Sequence, residues 1–323
     1  MSNGAWMMAV VVALVALGAW WVWRNRSLPL SSAALDLLWQ SPQAQGTAER
    51  ASLMNEGIPP VIWTYWHSPG LPLVVQRCVD NWRRHNPGYA IHVLHQGNLH
   101  EYLDDIPQRL AAVGIPKQTD WIRLALLHRH GGFWLDASTI LTQSLDWAVQ
   151  RQAASRAQLL GFYLEGFTTQ PAYPVVESWF LAAPAGSAFV ADWLALFREQ
   201  AIDGETQDYL QGLRQQGVLQ AYTQRIGDPA YHTIHVTAQH LMQSQAQQAY
   251  RLDLLCAEDG PYRYHRQSGW KRRSLYWRLL WNGQRDDCPP LIKLRGGERR
   301  KLEPYLRHGW YRQGSLVGRQ LRP

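Results

Sequence analysis

With 323 residues of which 46% are hydrophobic, the chain has enough apolar content for a sizeable buried core, which excludes an intrinsically disordered protein. Its three cysteines, Cys78, Cys256 and Cys288, are odd in number and lack CxxC or histidine-partner spacing, so a disulfide framework and a zinc site are excluded and a reducing compartment is expected. The net charge of +7 is uneven, because residues 251–323 hold 17 Lys/Arg against 7 Asp/Glu; without a zinc finger, an RNP signature or a basic heptad, this bias points to anionic lipid or phosphate and not to nucleic acid.

The first element is an uncharged apolar run of 19 residues, Ala5 to Trp23, which as a helix rising about 1.5 Å per residue nearly spans a bilayer core. Ala16-Leu17-Gly18 resembles a signal cleavage site, but no Lys or Arg precedes the run, whereas Trp20, Trp21 and Trp23 followed by Arg24 and Arg26 mark an interfacial end. Residues 1–26 are therefore expected to be a single-pass anchor with the charged side, and the main domain, in the cytoplasm, as at a bacterial inner membrane. Residues 27–57 are expected to be a tether carrying one short helix.

From residue 58 the pattern changes to strand and helix. Pro59-Pro60 opens a strand, Val61 to Trp66, followed by an amphipathic helix, Leu71 to His85, a break at Asn86-Pro87-Gly88, and a second strand, Tyr89 to Leu94. That order is the βαβ unit of a parallel sheet. A helix from Lys117 to His130 is stopped by Gly131-Gly132 and leads into a short strand, Phe133 to Asp136. Leu159 to Leu164, Val175 to Ala183 and a helix from Ala188 to Glu199 follow. His232 and His235, three apart in a helical stretch, are expected to be surface residues and not a metal site. Near the end, Trp270, Ser274, Trp277 and Trp281 fall on one helical face, with Lys271, Arg272, Arg273 and Arg278 on or beside the other, the pattern of a helix lying in a lipid interface or, equally, of tryptophans packed on the domain core beside solvated arginines.

The residues from Thr119 to Ser138 carry the chemistry. A helix places Asp120 and Arg123 on one face, a glycine pair permits close backbone approach, and a strand ends in the carboxylate of Asp136. In an open α/β sheet ligands bind beyond the C-terminal ends of the strands, where such a carboxylate can take a ribose hydroxyl or help hold a divalent cation on a diphosphate. Taken singly, Asp120 and Arg123 are equally consistent with a surface ion pair, and Trp63 and Tyr65 with core packing.

This segment resembles the donor-binding stretch of glycosyltransferases with a DXD motif in a sugar-binding region, most closely the capsular polysaccharide synthesis branch. Ile58 to Trp66 resembles that family's opening strand, Pro174 to Ala183 with Pro184 and Gly186 its second block, and Ile292-Lys293-Leu294 its late Lys-Leu element. The resemblance implies an α/β fold of GT-A type, a mostly parallel sheet with flanking helices, formed by residues 58–250 and completed by the basic region 251–323. It also implies that Trp63, Thr64 and Tyr65 lie beside the nucleotide base, and that Asp120, Arg123, Gly132 and Ser138 belong to the donor site. Asp136 would be the first DXD acid, catalytic and metal-binding; Glu177 would act at the donor sugar or acceptor, and Lys293 would place a cation near the leaving diphosphate. Ser138 replaces the second acid, so dependence on Mn²⁺ or Mg²⁺ is expected to be weak. The implied reaction is retaining transfer of a hexose from a UDP- or GDP-linked donor to a polysaccharide or lipid-linked glycan at the membrane. A different class remains open: a catalytically weakened assembly or regulatory subunit, for which Ser138 is the motive.

Overall fold

The computed structural model describes residues 3–25, 37–41, 57–244 and 249–323. Asn3–Asn25 forms a 23-residue helix, α1, whose side chains from Trp6 to Trp20 are all exposed. Among the described residues no helix is long and apolar enough to cross a membrane. The expected span Ala5 to Trp23 runs past them at both ends, because the side chains of residues 1–5 and 21–25 lie outside the described set.

The remaining elements follow in chain order: β1 (Leu37–Gln40), β2 (Val61–Tyr65), α2 (Leu73–His85), β3 (Ala90–Leu94), α3 (Ile115–His130), β4 (Gly132–Leu135), β5 (Thr139–Leu141) and α4 (Asp146–Ser155). After them come β6 (Leu159–Tyr163), β7 (Val176–Ala183), α5 (Ala188–Phe197), α6 (Thr206–Gln215), α7 (Leu219–Thr223), α8 (Thr233–Gln243) and β8 (Arg251–Cys256). The chain ends with α9 (Arg263–Gln267), α10 (Arg272–Leu280), β9 (Leu291–Lys293), α11 (Gly296–His308) and α12 (Leu316–Gln320). Seven strands form one sheet in the order β1-β8-β6-β7-β4-β2-β3, and β5 pairs with β9 in a small second sheet. Five of the seven run in one direction. β7 is antiparallel to both β4 and β6, and β1 is antiparallel to β8, so half of the pairings in the expected mostly parallel sheet are antiparallel.

Two further expectations change. β1 lies within the stretch expected to be a tether and is an edge strand in register with β8, Leu38 opposite Asp253, while residues 27–36 and 42–56 of that stretch lie outside the described residues. β8 itself begins at Arg251 and pairs in parallel with β6, so the basic region starts inside the sheet. A strand buried on both faces must be covered on both, and β4 shows how this is met. Trp134 packs with Trp63, Trp121, Leu124 and Trp193 on the side of α3 and α5. Phe133 and Leu135 point the other way, to Ile62, Val79, Trp82 and Phe180.

The turn from α3 to β4 depends on glycine. Gly131 and Gly132 have φ of 63° and 94°, and a Cβ on Gly132 would lie 2.4 Å from Val61 Cγ1 and 2.5 Å from the Val61 carbonyl oxygen. Only glycine allows α3 to end this close to β2 and hand the chain to β4.

The C-terminal helix expected from Gly269 to Asn282 is shorter, because Gly269 and Trp270 both have positive φ, of 57° and 59°, and α10 starts at Arg272. Arg278 is buried among the apolar side of α10, whereas Trp277 and Trp281 stay 44% and 41% exposed beside the exposed Lys271, Arg272 and Arg273. The tryptophans and the basic residues therefore share one outward side and do not oppose each other.

The start of α11 is pinned by Glu298, whose Oε2 accepts from the Arg295 backbone N–H at 2.8 Å and lies 2.8 Å from His265 Nε2. Burial alone would raise the Glu298 pKa, but the bonds from His265 and the Arg295 side chain outweigh it and hold it at about 2, against an ordinary 4.5. A depressed carboxylate contributes stability that is complete above its unfolded pKa and is lost as pH falls through the folded one. Glu298→Gln is therefore expected to cost about 1–3 kcal/mol at neutral pH, and to flatten the loss of stability between pH 4.5 and about 2, read from urea unfolding at several pH values. An unchanged acid slope would contradict this.

Candidate functional site

Because β2, β4, β6 and β8 run in the same direction and β7 opposes them, the C-terminal ends of four strands and the start of β7 meet along one edge of the sheet. Asp136 follows β4 there and donates its backbone N–H to Trp179 O at 2.9 Å, which sets it beside Glu177 and Ser178 of β7. An open cleft of about 1130 Å³ lies over this edge. Tyr65, Asp120, Arg123, Asp136, Ser138 and Glu177 all line it.

At the floor of the cleft charged groups interlock. Arg123 is delivered by α3, with Nη1 3.0 Å from Asp120 Oδ1 and hydrogen-bonded to Ser178 Oγ, and Nη2 3.3 Å from Asp136 Oδ1. Asp136 Oδ1 also accepts from Trp134 Nε1 at 3.2 Å, and Asp136 Oδ2 accepts from Lys293 Nζ at 2.6 Å. Lys293 arrives because β9 pairs with β5 in the register Thr139 opposite Lys293. Ser138 locks the same junction: its hydroxyl donates to Leu294 O at 2.8 Å, and its carbonyl accepts from the Leu294 N–H at 3.1 Å. Burial pushes the Asp136 carboxyl up, but Lys293 and Arg123 outweigh it and hold it below the ordinary carboxylate range. For Asp120 burial wins over the pull of Arg123 and His235, and its pKa is pushed up to about 6. One arginine thus bridges a firmly ionised acid and one that titrates near neutrality.

A second pair sits beside the first. Glu177 Oε1 accepts from the Ser178 N–H at 2.8 Å and lies 3.1 Å from His235 Nε2, with both side chains buried. Burial raises the Glu177 pKa, and the bonds from His235 and Ser178 reverse this and leave it below the ordinary value. His235 is thus not the surface residue its helical spacing suggests: α8 packs on β7 and buries it, and its Nδ1 has no hydrogen-bond partner among the described residues. The His232 ring stands edge-on to it at 5.3 Å, half-buried at the cleft wall.

Three expected residues lie elsewhere. Trp63 points to the α3 side, donates Nε1 to Gly131 O at 2.9 Å and stacks on His92 at 4.6 Å. Thr64 is fully buried in β2, and Gly132 lies at the opposite end of β4 against Val61. Of the β2 trio only Tyr65 reaches the cleft, where it is joined by Trp66 and His67. Sequence reasoning also missed Arg295, Arg299 and Arg300, which line the far wall from the start of α11; a basic run with Gly296-Gly297 directly after the Ile-Lys-Leu strand was their signal.

Among the described residues, Arg123 is the one cation that touches Asp120, Asp136 and β7. Arg123→Ala would leave Asp120 buried without its partner, and a loss of about 3–5 kcal/mol in urea unfolding is expected. Arg123→Lys should recover less than half, since one ammonium lacks the fork whose two prongs reach Asp120 and Asp136 together. A loss below about 1 kcal/mol for the alanine variant would contradict the assignment.

Comparison with known proteins adds to this geometry. The O-glycosyltransferase braB of Annulohypoxylon truncatum is 29% identical over 157 residues, covering 43% of this chain and 37% of that protein. The glycosyltransferase afumC of Aspergillus fumigatus is 28% identical over 157 residues, covering 42% and 39% respectively. The chain thus spans well under half the length of these relatives. Among solved structures, the PaToxG glycosyltransferase aligns over 77% of this chain and 86% of that one, with a TM-score of 0.32 and 13% identity. Residues 40–255 match the family described as capsular polysaccharide synthesis protein. With more than half of its length matched, the chain belongs to the capsular polysaccharide synthesis protein family.

Proposed function

We propose that this protein is a glycosyltransferase of GT-A type that moves a hexose from a nucleotide-sugar donor to a hydroxyl of a polysaccharide or lipid-linked glycan. The observation that carries the reading is the position of Asp136: an ionised carboxylate at the C-terminal edge of the sheet, partly open to a cleft large enough for a nucleotide sugar. The names of the two fungal relatives support the same reaction class. In this reading Tyr65 and Trp66 face the nucleotide, and Asp136 takes a hydroxyl of the donor.

The proposed course is retaining. The bond from the anomeric carbon to the phosphate oxygen breaks and a bond to the acceptor oxygen forms on the same face. The acceptor proton passes to the departing diphosphate, so no separate protein base is required. Positive charge develops at the sugar during this step. Glu177, buried and held ionised by His235, supplies the fixed negative charge that stabilises it. Glu177→Gln is expected to lower kcat by about 10²–10³ with little change in donor KM. Asp136→Asn is expected to abolish the thermal stabilisation that a UDP- or GDP-sugar gives the wild type, measured by scanning fluorimetry. Wild-type turnover by Glu177→Gln, or an unchanged shift for Asp136→Asn, would remove these roles.

The same proposal places the enzyme at a membrane, with α1 as the anchor and Trp277, Trp281, Lys271, Arg272 and Arg273 turned to the lipid surface. Each basic residue near anionic lipid contributes about 1 kcal/mol. Without residues 1–26 the protein should still bind anionic vesicles at low salt, and Arg272→Gln with Arg273→Gln should weaken that binding. If the truncated protein ignores such vesicles, the exposed tryptophans have another role.

A further inference from the structure

The DXD pattern that the sequence resembles holds a divalent cation on two acids, and the donor set in this cleft is a different one. Both oxygens of Asp136 are engaged, one by Lys293 Nζ at 2.6 Å and the other by Arg123 and Trp134. Where the second acid would stand, Ser138 is neutral, its hydroxyl proton goes to Leu294 O, and its oxygen lies 3.5 Å from the same ammonium. Among the described residues no group of three or more His, Cys, Asp or Glu side chains is arranged to hold a metal ion. Mg²⁺ on a diphosphate takes most of its roughly six oxygen ligands from phosphate and water, and needs only one or two carboxylates free to complete them. An ion on Asp136 would have to displace Lys293 or sit against its charge.

Positive charge is instead built into the walls. Four residues beyond Ile292-Lys293-Leu294-Arg295, α11 brings Arg299 and Arg300 to the cleft. The Arg299 guanidinium lies over the Trp66 ring at 4.4 Å, which fixes it at the mouth beside β2. Arg295 is neutralised by Glu298, but Arg299 and Arg300 make no ion pair among the described residues. Burial, and then the charge of Arg300, make Arg299 easier to deprotonate than a free guanidinium. Two unneutralised like charges held together are relieved by an anion between them.

We propose that, on the nucleotide-sugar reading above, this chain holds the donor diphosphate without a divalent cation, using Arg299 and Arg300 at the cleft wall. When the bond between sugar and phosphate breaks, its electron pair stays on the diphosphate oxygen, and these two arginines stabilise the charge that develops there.

The test is calorimetric titration of the full-length protein in detergent with a panel of nucleoside diphosphates, in EDTA and again with MnCl₂. The tightest of the panel is expected to bind in EDTA within about threefold of its Kd in Mn²⁺. Arg299→Gln, at a half-buried position, and Arg300→Gln, at an exposed one, both outside the core, should each weaken binding in EDTA by about tenfold. Affinity should also fall with added salt. Binding that weakens more than about tenfold in EDTA, or that ignores both arginine variants, overturns the proposal and leaves the nucleotide-sugar reading intact. Absence of binding by every nucleotide with and without Mn²⁺ overturns that reading, and this inference with it.

Discussion

A carboxylate held between two buried cations organises this structure. Lys293 and Arg123 are both nearly inaccessible, and removing such groups from water costs several kcal/mol each unless opposite charge and hydrogen bonds replace the lost hydration. Asp136 supplies that charge to both at once, with Lys293 at 2.6 Å and Arg123 at 3.3 Å. Three pieces of chain far apart in sequence must therefore converge: the third turn of α3, the end of β4, and the last residue of β9. The paired strands β5 and β9 and the lock between Ser138 and Leu294 follow from the need to bring Lys293 to that point. The basic C-terminal region is thus part of the site floor and wall, not an appendage to a finished domain.

The same arrangement separates the acids into different kinds. Asp136 is ionised because two cations face it, Glu177 because His235 and a backbone N–H face it, and Asp120 is pushed toward neutrality because burial outweighs its single arginine. A site that must accept a polyanionic leaving group needs positive charge not already spent within the protein. Arg123 and Lys293 are largely spent on Asp120 and Asp136, whereas Arg299 and Arg300 are not. Their place on α11, with Arg299 stacked on Trp66, gives the cleft one cationic wall.

Much of the sheet was legible because its strands are short apolar runs with clear breakers. Val61 to Tyr65, the helix ended by Gly131, and the strand leading to Asp136 all follow from local pattern. Asp120, Arg123 and Asp136 were legible as a set since one helix and one strand, 17 residues end to end, carry them. Lys293 could be reached only through resemblance, because its meaning depends on a strand pairing across more than 150 residues. Trp63 was placed at the nucleotide although period-2 alternation puts it on the α3 face, where its indole caps the Gly131 carbonyl. His235 was taken for a surface residue because helical spacing reports which residues share a face and not what covers that face. At Trp270 the helical reading assumed a continuous helix, and two residues of positive φ break it.

The central claim is that Asp136 and Lys293 act as one unit, in the fold and in the binding of donor. A double-mutant cycle with Asp136→Asn, Lys293→Met and the pair, followed both by urea unfolding and by nucleotide-sugar affinity, measures that unit directly. The account predicts strong coupling in both readouts, about 2–3 kcal/mol in stability, with the double variant little worse than either single one. Effects that add to within about 0.5 kcal/mol would contradict it.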